Sequence, residues 1–346
     1  MIQKLENNNQ NVRYDWVDVL KFLGILFIYI GHLGELSGRL YNWVFQFHVP
    51  LFFFVSGFFF KNGDSFFIFL KKKFVKYILP YFVFSCFLLF TNIIKYNYSF
   101  TEFLSQCKLI LFGVRNTLQA GGAWFLPCLF VINIIYYVLN KVTNKKITLF
   151  SLSLFLYMAA IYILPSNPAI SPSWFWNADS ALFYILYFCL GNILFDVIKK
   201  IKKNKFSKII SCFIIFLTLI LFFYGRSFLG IFATGKMYFL SDILITLILI
   251  FFNCITAFLM EDVCLLKNIG KDTMYLCLTE VLVKNIIVDL LSILKLTIVL
   301  ENPLMTVIYS FFVIYVNHKY LIPIFKKVYI FILRKCEVLF NEISFN

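Results

Sequence analysis

The sequence predicts an all-α protein: a polytopic membrane helical bundle with about ten transmembrane helices. Three observations carry this. Of 346 residues, 61% are hydrophobic and only 14% charged, against roughly 25% charged in a soluble domain; so few charges do not cover a soluble globule of this size. The apolar residues, 46 phenylalanines among them, gather in runs of about 20, the length that spans a bilayer. The basic residues collect in the short segments between those runs. A soluble enzyme, a disordered chain and a disulfide-built secreted scaffold are excluded. A β-barrel would show short alternating segments instead.

The apolar runs lie near 15–34, 43–60, 77–95, 123–140, 147–164, 180–198, 208–225, 238–258, 273–293 and 303–321. With both termini in the cytoplasm, the inner segments hold 23 of the 32 basic residues and the outer ones 7, with Lys21 and Lys284 inside spans. That asymmetry is the positive-inside pattern of a multi-pass protein of the cell (inner) membrane. It also accounts for the net charge of +15 through the lipid bilayer, with no nucleic acid as partner; no zinc-finger, RNP or helix-turn-helix pattern is present. Nine cysteines are scattered without a C-x-x-C pair. They read as small hydrophobes, and neither a disulfide nor a metal site is expected. One integral-membrane domain fills the chain, with a polar tail at 1–13 and a basic cytoplasmic tail at 322–346 suited to lie along the membrane. The charged start of the first run does not read as a cleavable signal. Segments 96–122, ending in Ala120-Gly121-Gly122, and 165–179, reading PSNPAISPSWFWNAD, are broken by Gly and Pro and are expected as ordered outer caps.

Ionisable groups inside spans cost about 2.5–3.5 kcal/mol on insertion scales, so each is a candidate for function. The first span carries Asp18, Lys21 and His32. Eleven residues at 100° each bring Lys21 and His32 to one helix face, about 16 Å apart along the axis. Asp18, three residues before Lys21, shares that face and pairs with it. Histidine titrates near neutral pH and serves as a general base; the bland alternative is a histidine bonded to a neighbouring helix. His48 starts the second span, either orienting an acceptor or sitting as an interfacial residue. Ser56-Gly57 reads as a close-packing point. Trp124, Trp174 and Trp176 either stack on a sugar or anchor the membrane interface. Glu280 and Lys284 are spaced to pair. Lys71, Lys72 and Lys73 are topology signals, with binding of a CoA phosphate as the alternative.

The string RYDWVDVLKFLGILFIYIGH (13–32) resembles the opening of acyltransferase family 3 proteins, whose mark is a basic residue, ten intervening residues and a histidine. Lys21 and His32 match it. FHVPLFFFVSGFFFK (47–61), KKKFVKYILPYFVF (71–84), WFLPCLF (124–130), YFCLGNILFD (187–196) and IGKDTMYLCLTE (269–280) resemble later blocks. The resemblance implies a ten-helix membrane enzyme that moves acyl groups, most often acetyl from acetyl-CoA, onto carbohydrate, closest to the fucose 4-O-acetylase-like sugar O-acetylases. Many members carry a histidine at the end of the block that here ends in Thr279-Glu280, so that role is vacant or falls to Glu280. The expected reaction is acetyl transfer from cytoplasmic acetyl-CoA, without a metal, to a hydroxyl of a surface or lipid-linked carbohydrate acceptor. His32 is the base and Lys21, tethered by Asp18, organises the donor end. A transporter or flippase of lipid-linked sugars is the alternative.

Overall fold

The computed structural model describes residues 13–117, 121–203, 218, 238–294 and 302–343. In lipid every backbone N–H and C=O must be satisfied within the chain, so apolar runs close on themselves as helices. The described residues are mostly helical and contain no strand, only an isolated bridge between Asn167 and Ser171. Among the described residues, five helical stretches are long and apolar enough to cross a bilayer: Phe66–Tyr96, Gly121–Val142, Phe175–Ile201, Asp242–Leu259 and Pro303–Leu333.

The helices are α1 (Asp15–Gly31), α2 (Arg39–Val44), α3 (His48–Gly57), α4 (Phe66–Lys73), α5 (Leu79–Tyr96), α6 (Phe100–Phe112) and α7 (Phe125–Val142). They continue with α8 (Lys146–Tyr162), α9 (Ala178–Lys203), α10 (Tyr238–Leu259), α11 (Cys264–Lys271), α12 (Thr273–Ile293), α13 (Pro303–Val316) and α14 (Ile322–Ile343). The expected span 208–225 lies outside the described residues apart from Thr218.

α1 is the axis of the bundle. It packs against α3, α10, α11, α12 and α13, and its side chains from Trp16 to Leu20 and from Phe22 to Leu26 are buried. Helices come closest where a glycine stands at the crossing. A Cβ on Gly270 of α11 would lie 1.8 Å from the Asp18 carbonyl oxygen. At the crossing of α3 and α9, a Cβ on Gly57 would meet the Phe188 carbonyl at 2.0 Å and one on Gly191 the Phe54 carbonyl at 1.9 Å. No side chain fits at these points, and the packing role expected of Gly57 follows directly.

The second expected span, 43–60, is corrected. It is broken into α2 and α3 around Phe45–Phe47. Pro50 lacks an N–H and fits only in a helix's first turn, so α3 begins two residues before it. Ten residues rise only about 15 Å, half a hydrocarbon core. The irregular backbone at Phe47 and His48 is tolerated because both are buried in protein.

Two spans are extended by π-helical turns. Phe74–Ile78 joins α4 to α5, and Asn317–Leu321 joins α13 to α14. Each turn overlaps the same pattern, Lys-Tyr, two aliphatic residues and proline: Lys76 to Pro80 and Lys319 to Pro323. The proline withholds the N–H that would bond the lysine carbonyl four residues back, which accounts for the local change of ladder. The stretch expected as a tail along the membrane therefore begins as a continuation of the last span. Ile322, Phe325 and Tyr329 are buried in the bundle, with Phe325 against Phe84 and Phe87. Asp272, between α11 and α12, pins this junction, lying 3.1 Å from His318 Nδ1 and bonded to Lys326. Burial pushes its carboxyl up, but the bonds from His318 and Lys326 outweigh it and hold the group below its ordinary value.

Residues 118–120 of the first expected cap lie outside the described residues; the rest of it and the second cap are ordered and pack together. Ser99 opens α6 with a capping box closed by Glu102. In the second cap, Trp176 and Asn177 adopt φ of 53° and 55°, rare for a tryptophan. The turn drives the Asn177 side chain inward. There it accepts from the Arg115 backbone N–H at 2.8 Å and donates to the Gly113 carbonyl at 2.7 Å.

Candidate active site

A cavity of about 620 Å³ lies between α1, α3, α7 and α12. Lys21 and His32 both line it, as their shared helix face requires. Its lysine end is formed by Lys21, Lys73, Lys76 and Lys271, and its histidine end by His32, His48, Arg115 and Trp124. Lys76 and Lys271 at one end, and Asn116 and Ile170 at the other, line the cavity and are exposed. It therefore reaches the surface at both ends.

At the lysine end, Asp18 is buried and lies behind the wall. Its Oδ2 accepts from Arg13 Nε at 2.7 Å and its Oδ1 from Lys21 Nζ at 3.4 Å. The expected pair exists, with Arg13 as the shorter partner, and it leaves the Lys21 ammonium facing the cavity near the Phe59 ring. Lys73 lines the wall and sits over the rings of Phe69, Tyr77 and Phe60. Lys71 and Lys72 do not reach it: both are exposed, and Lys72 binds the Asp64 carboxylate at 2.9 Å. Adjacent helix positions point about 100° apart, so Lys72 and Lys73 face different ways. Lys76, which sequence analysis left as a topology signal, is the residue that joins Lys73.

At the histidine end, His32 Nδ1 lies 2.7 and 2.6 Å from the two carboxylate oxygens of Glu280. Glu280 is 1% exposed and takes Lys284 Nζ at 2.7 Å on its Oε1. The pairing of Glu280 with Lys284 read from their spacing is present, and His32 is its second partner, 248 residues away in sequence. With Nδ1–H donated to the carboxylate, Nε2 keeps the free lone pair. A buried brace stands behind this dyad. Asn317, in the second π turn, donates to Tyr29 Oη at 2.9 Å and to Thr279 Oγ1 at 2.9 Å. Tyr29 in turn donates to the Leu276 carbonyl at 3.0 Å. Tyr29 is three residues before His32 and Thr279 one before Glu280, so the brace fixes α12 on α1 where the two side chains meet.

His48 lines the cavity; its Nδ1 meets the Val44 carbonyl at 2.7 Å, and its ring stands edge-on to Phe45. Trp124 also lines it, with the Arg115 guanidinium 4.6 Å over its ring. Trp174 and Trp176 are not on the wall. Trp174 is largely exposed, while Trp176 donates to the Leu111 carbonyl at 3.0 Å and packs on Phe130. The prolines and the left-handed turn that order this cap direct those rings away from the cavity. Among the described residues, no cluster of three or more His, Cys, Asp or Glu is placed to hold a metal.

An imidazole backed by a buried carboxylate, beside a cationic channel, is an arrangement able to take a proton from a group that enters the cavity. The sequence matches the acyltransferase domain of acyltransferase family 3 over residues 14–317, and the chain belongs to that family. It is an acyl-group transferase with the apolar helices of a membrane protein. No curated protein and no solved structure matches the chain.

Proposed function

We propose that the protein acetylates a hydroxyl of a cell-surface or lipid-linked carbohydrate, with acetyl-CoA as donor. The observation that supports this reading is one cavity lined by both Lys21 and His32, with Glu280 bonded to His32 from behind the wall. CoA carries several phosphates, and a cluster of four lysines suits them. Its acetyl-bearing arm then runs along α1 toward His32, about 16 Å away. His32 Nε2 takes the proton of the acceptor hydroxyl as the oxygen attacks the thioester carbonyl. The C–S bond breaks, the C–O bond is formed, and CoA leaves as the thiol carrying that proton. Glu280 holds the imidazole tautomer and balances the imidazolium charge.

Membranes containing the protein, given acetyl-labelled acetyl-CoA, are expected to pass label to carbohydrate. A transporter of lipid-linked sugars would leave the donor intact, and an undiminished donor pool would sink the acetyl-transfer reading. The lysine end faces the cytoplasm in this proposal, with both termini on that side in the cell membrane. A reporter active only in the cytoplasm is then active at the C-terminus and silent when fused after residue 170. Activity at residue 170 would reverse the orientation.

A further inference from the structure

We propose that the histidine end of the cavity receives an anionic acceptor, a sugar bearing a carboxylate or a phosphate, and that Arg115 recognises its charge. This rests on the acetyl-transfer reading for the word acceptor, but the anion site itself stands on its own geometry.

Among the described residues, the charged side chains on the cavity wall are Lys21, Lys73, Lys76, Lys271 and Arg115, with no Asp or Glu. The four lysines lie at the donor end. Arg115 is the one cation at the other end among the described lining residues, beside Trp124 and His48. It is built into place. Its backbone N–H is held by Asn177, its Nη1 donates to the Ala169 carbonyl at 2.7 Å, and its plane lies over Trp124. A guanidinium has five N–H donors in a rigid fork, so several remain after the carbonyl bond.

Among the described residues no carboxylate pairs with Arg115. Glu280 is taken by His32 and Lys284. Asp179, buried in the adjoining cap, is also occupied. Its Oδ2 accepts from Ser166 Oγ at 2.8 Å and Ser173 N at 2.7 Å, and its Oδ1 from Ser180 N at 2.9 Å. A half-buried guanidinium without a counter-charge is costly in a low-dielectric cavity. A carboxylate or phosphate arriving with the acceptor supplies that charge, and the planar fork matches either group. The rival role, in which Arg115 stabilises the oxyanion formed at the thioester carbonyl, acts on every acceptor alike.

The test uses the purified full chain and three probes: methyl glucoside, methyl glucuronide and glucose 1-phosphate. Equilibrium binding and acetyl transfer are both measured. At least one charged probe should bind tenfold or more tighter than the neutral one. Arg115→Gln should weaken that probe by roughly ten- to hundredfold, the effect of a charge-assisted bond, and weaken methyl glucoside far less. Arg115→Lys, which restores charge without the fork, should recover part of the loss; it also separates recognition from any loosening of the Ala169 contact. Preference for glucuronide or for the phosphate names the source of the charge. Equal binding of all three probes overturns the proposal. So does an Arg115→Gln protein that binds charged probes as before and slows transfer to all acceptors equally, the oxyanion result. Charged probes that bind through Arg115 but are never acetylated keep the anion site and overturn the acetyl-transfer reading instead.

Discussion

Replacing His32 by alanine is expected to lower acetyl transfer roughly 10²–10⁴-fold, the usual contribution of a positioned general base, with the protein still folded. The geometry gives reasons for both halves. The His32 side chain is about a third exposed, at 35%, so its removal leaves no closed cavity in the core. Glu280 is not orphaned, because Lys284 stays 2.7 Å from its carboxylate. The Tyr29–Asn317–Thr279 brace is untouched and keeps α12 on α1. Donor binding should also persist, since the lysine end lies about 16 Å along α1. Among the described residues, His48 has no carboxylate behind it to balance an imidazolium, since its Nδ1 donates to the neutral Val44 carbonyl. The comparison that decides is acetyl-CoA affinity against turnover in the purified His32→Ala protein. Turnover near the unmodified level removes His32 from the chemistry. Loss of affinity together with turnover makes it a donor-binding residue.

What the sequence revealed of this site follows from what a helix makes periodic. Lys21 and His32 were legible as one face because a single helix carries both, and 3.6 residues per turn fixes their relation. Glu280 and Lys284 were legible as a pair for the same reason. That Glu280 meets His32 was not, because the contact joins the first and twelfth helices and no local rule spans it. Arg115 lies in the Gly-ended segment 96–122, and nothing in its local sequence marks it. Its approach to the cavity depends on the Trp176–Asn177 turn, a left-handed conformation that sequence patterns do not announce at tryptophan. The run 43–60 read as one span because its aromatic density masks the helix start that Pro50 imposes. Lys76 lies four residues from Lys72 and three from Lys73, so helix spacing alone does not assign it to either.

Glu280→Gln carries the second large expected effect, a fall in turnover of roughly 10²–10⁴-fold at nearly unchanged donor affinity. The side chain keeps its shape but loses two functions. As a carboxylate it can only accept from His32 Nδ1–H, which fixes the tautomer with Nε2 free; an amide also donates, and so permits the opposite tautomer. It also no longer balances the imidazolium formed when the acceptor proton is taken, in a site where charge is poorly screened. The substitution leaves Lys284 without its counter-charge inside a span, which is itself destabilising. Glu280→Gln combined with Lys284→Met removes that stranded ammonium, and should recover folded protein without recovering turnover. The sharper measurement is non-additivity. A residue that acts through His32 has nothing to act on once His32 is gone. In the His32→Ala background, Glu280→Gln should therefore cost little further activity, well short of its effect alone. Multiplying losses would mean that Glu280 contributes independently of His32, and the dyad would have to be abandoned as the catalytic unit.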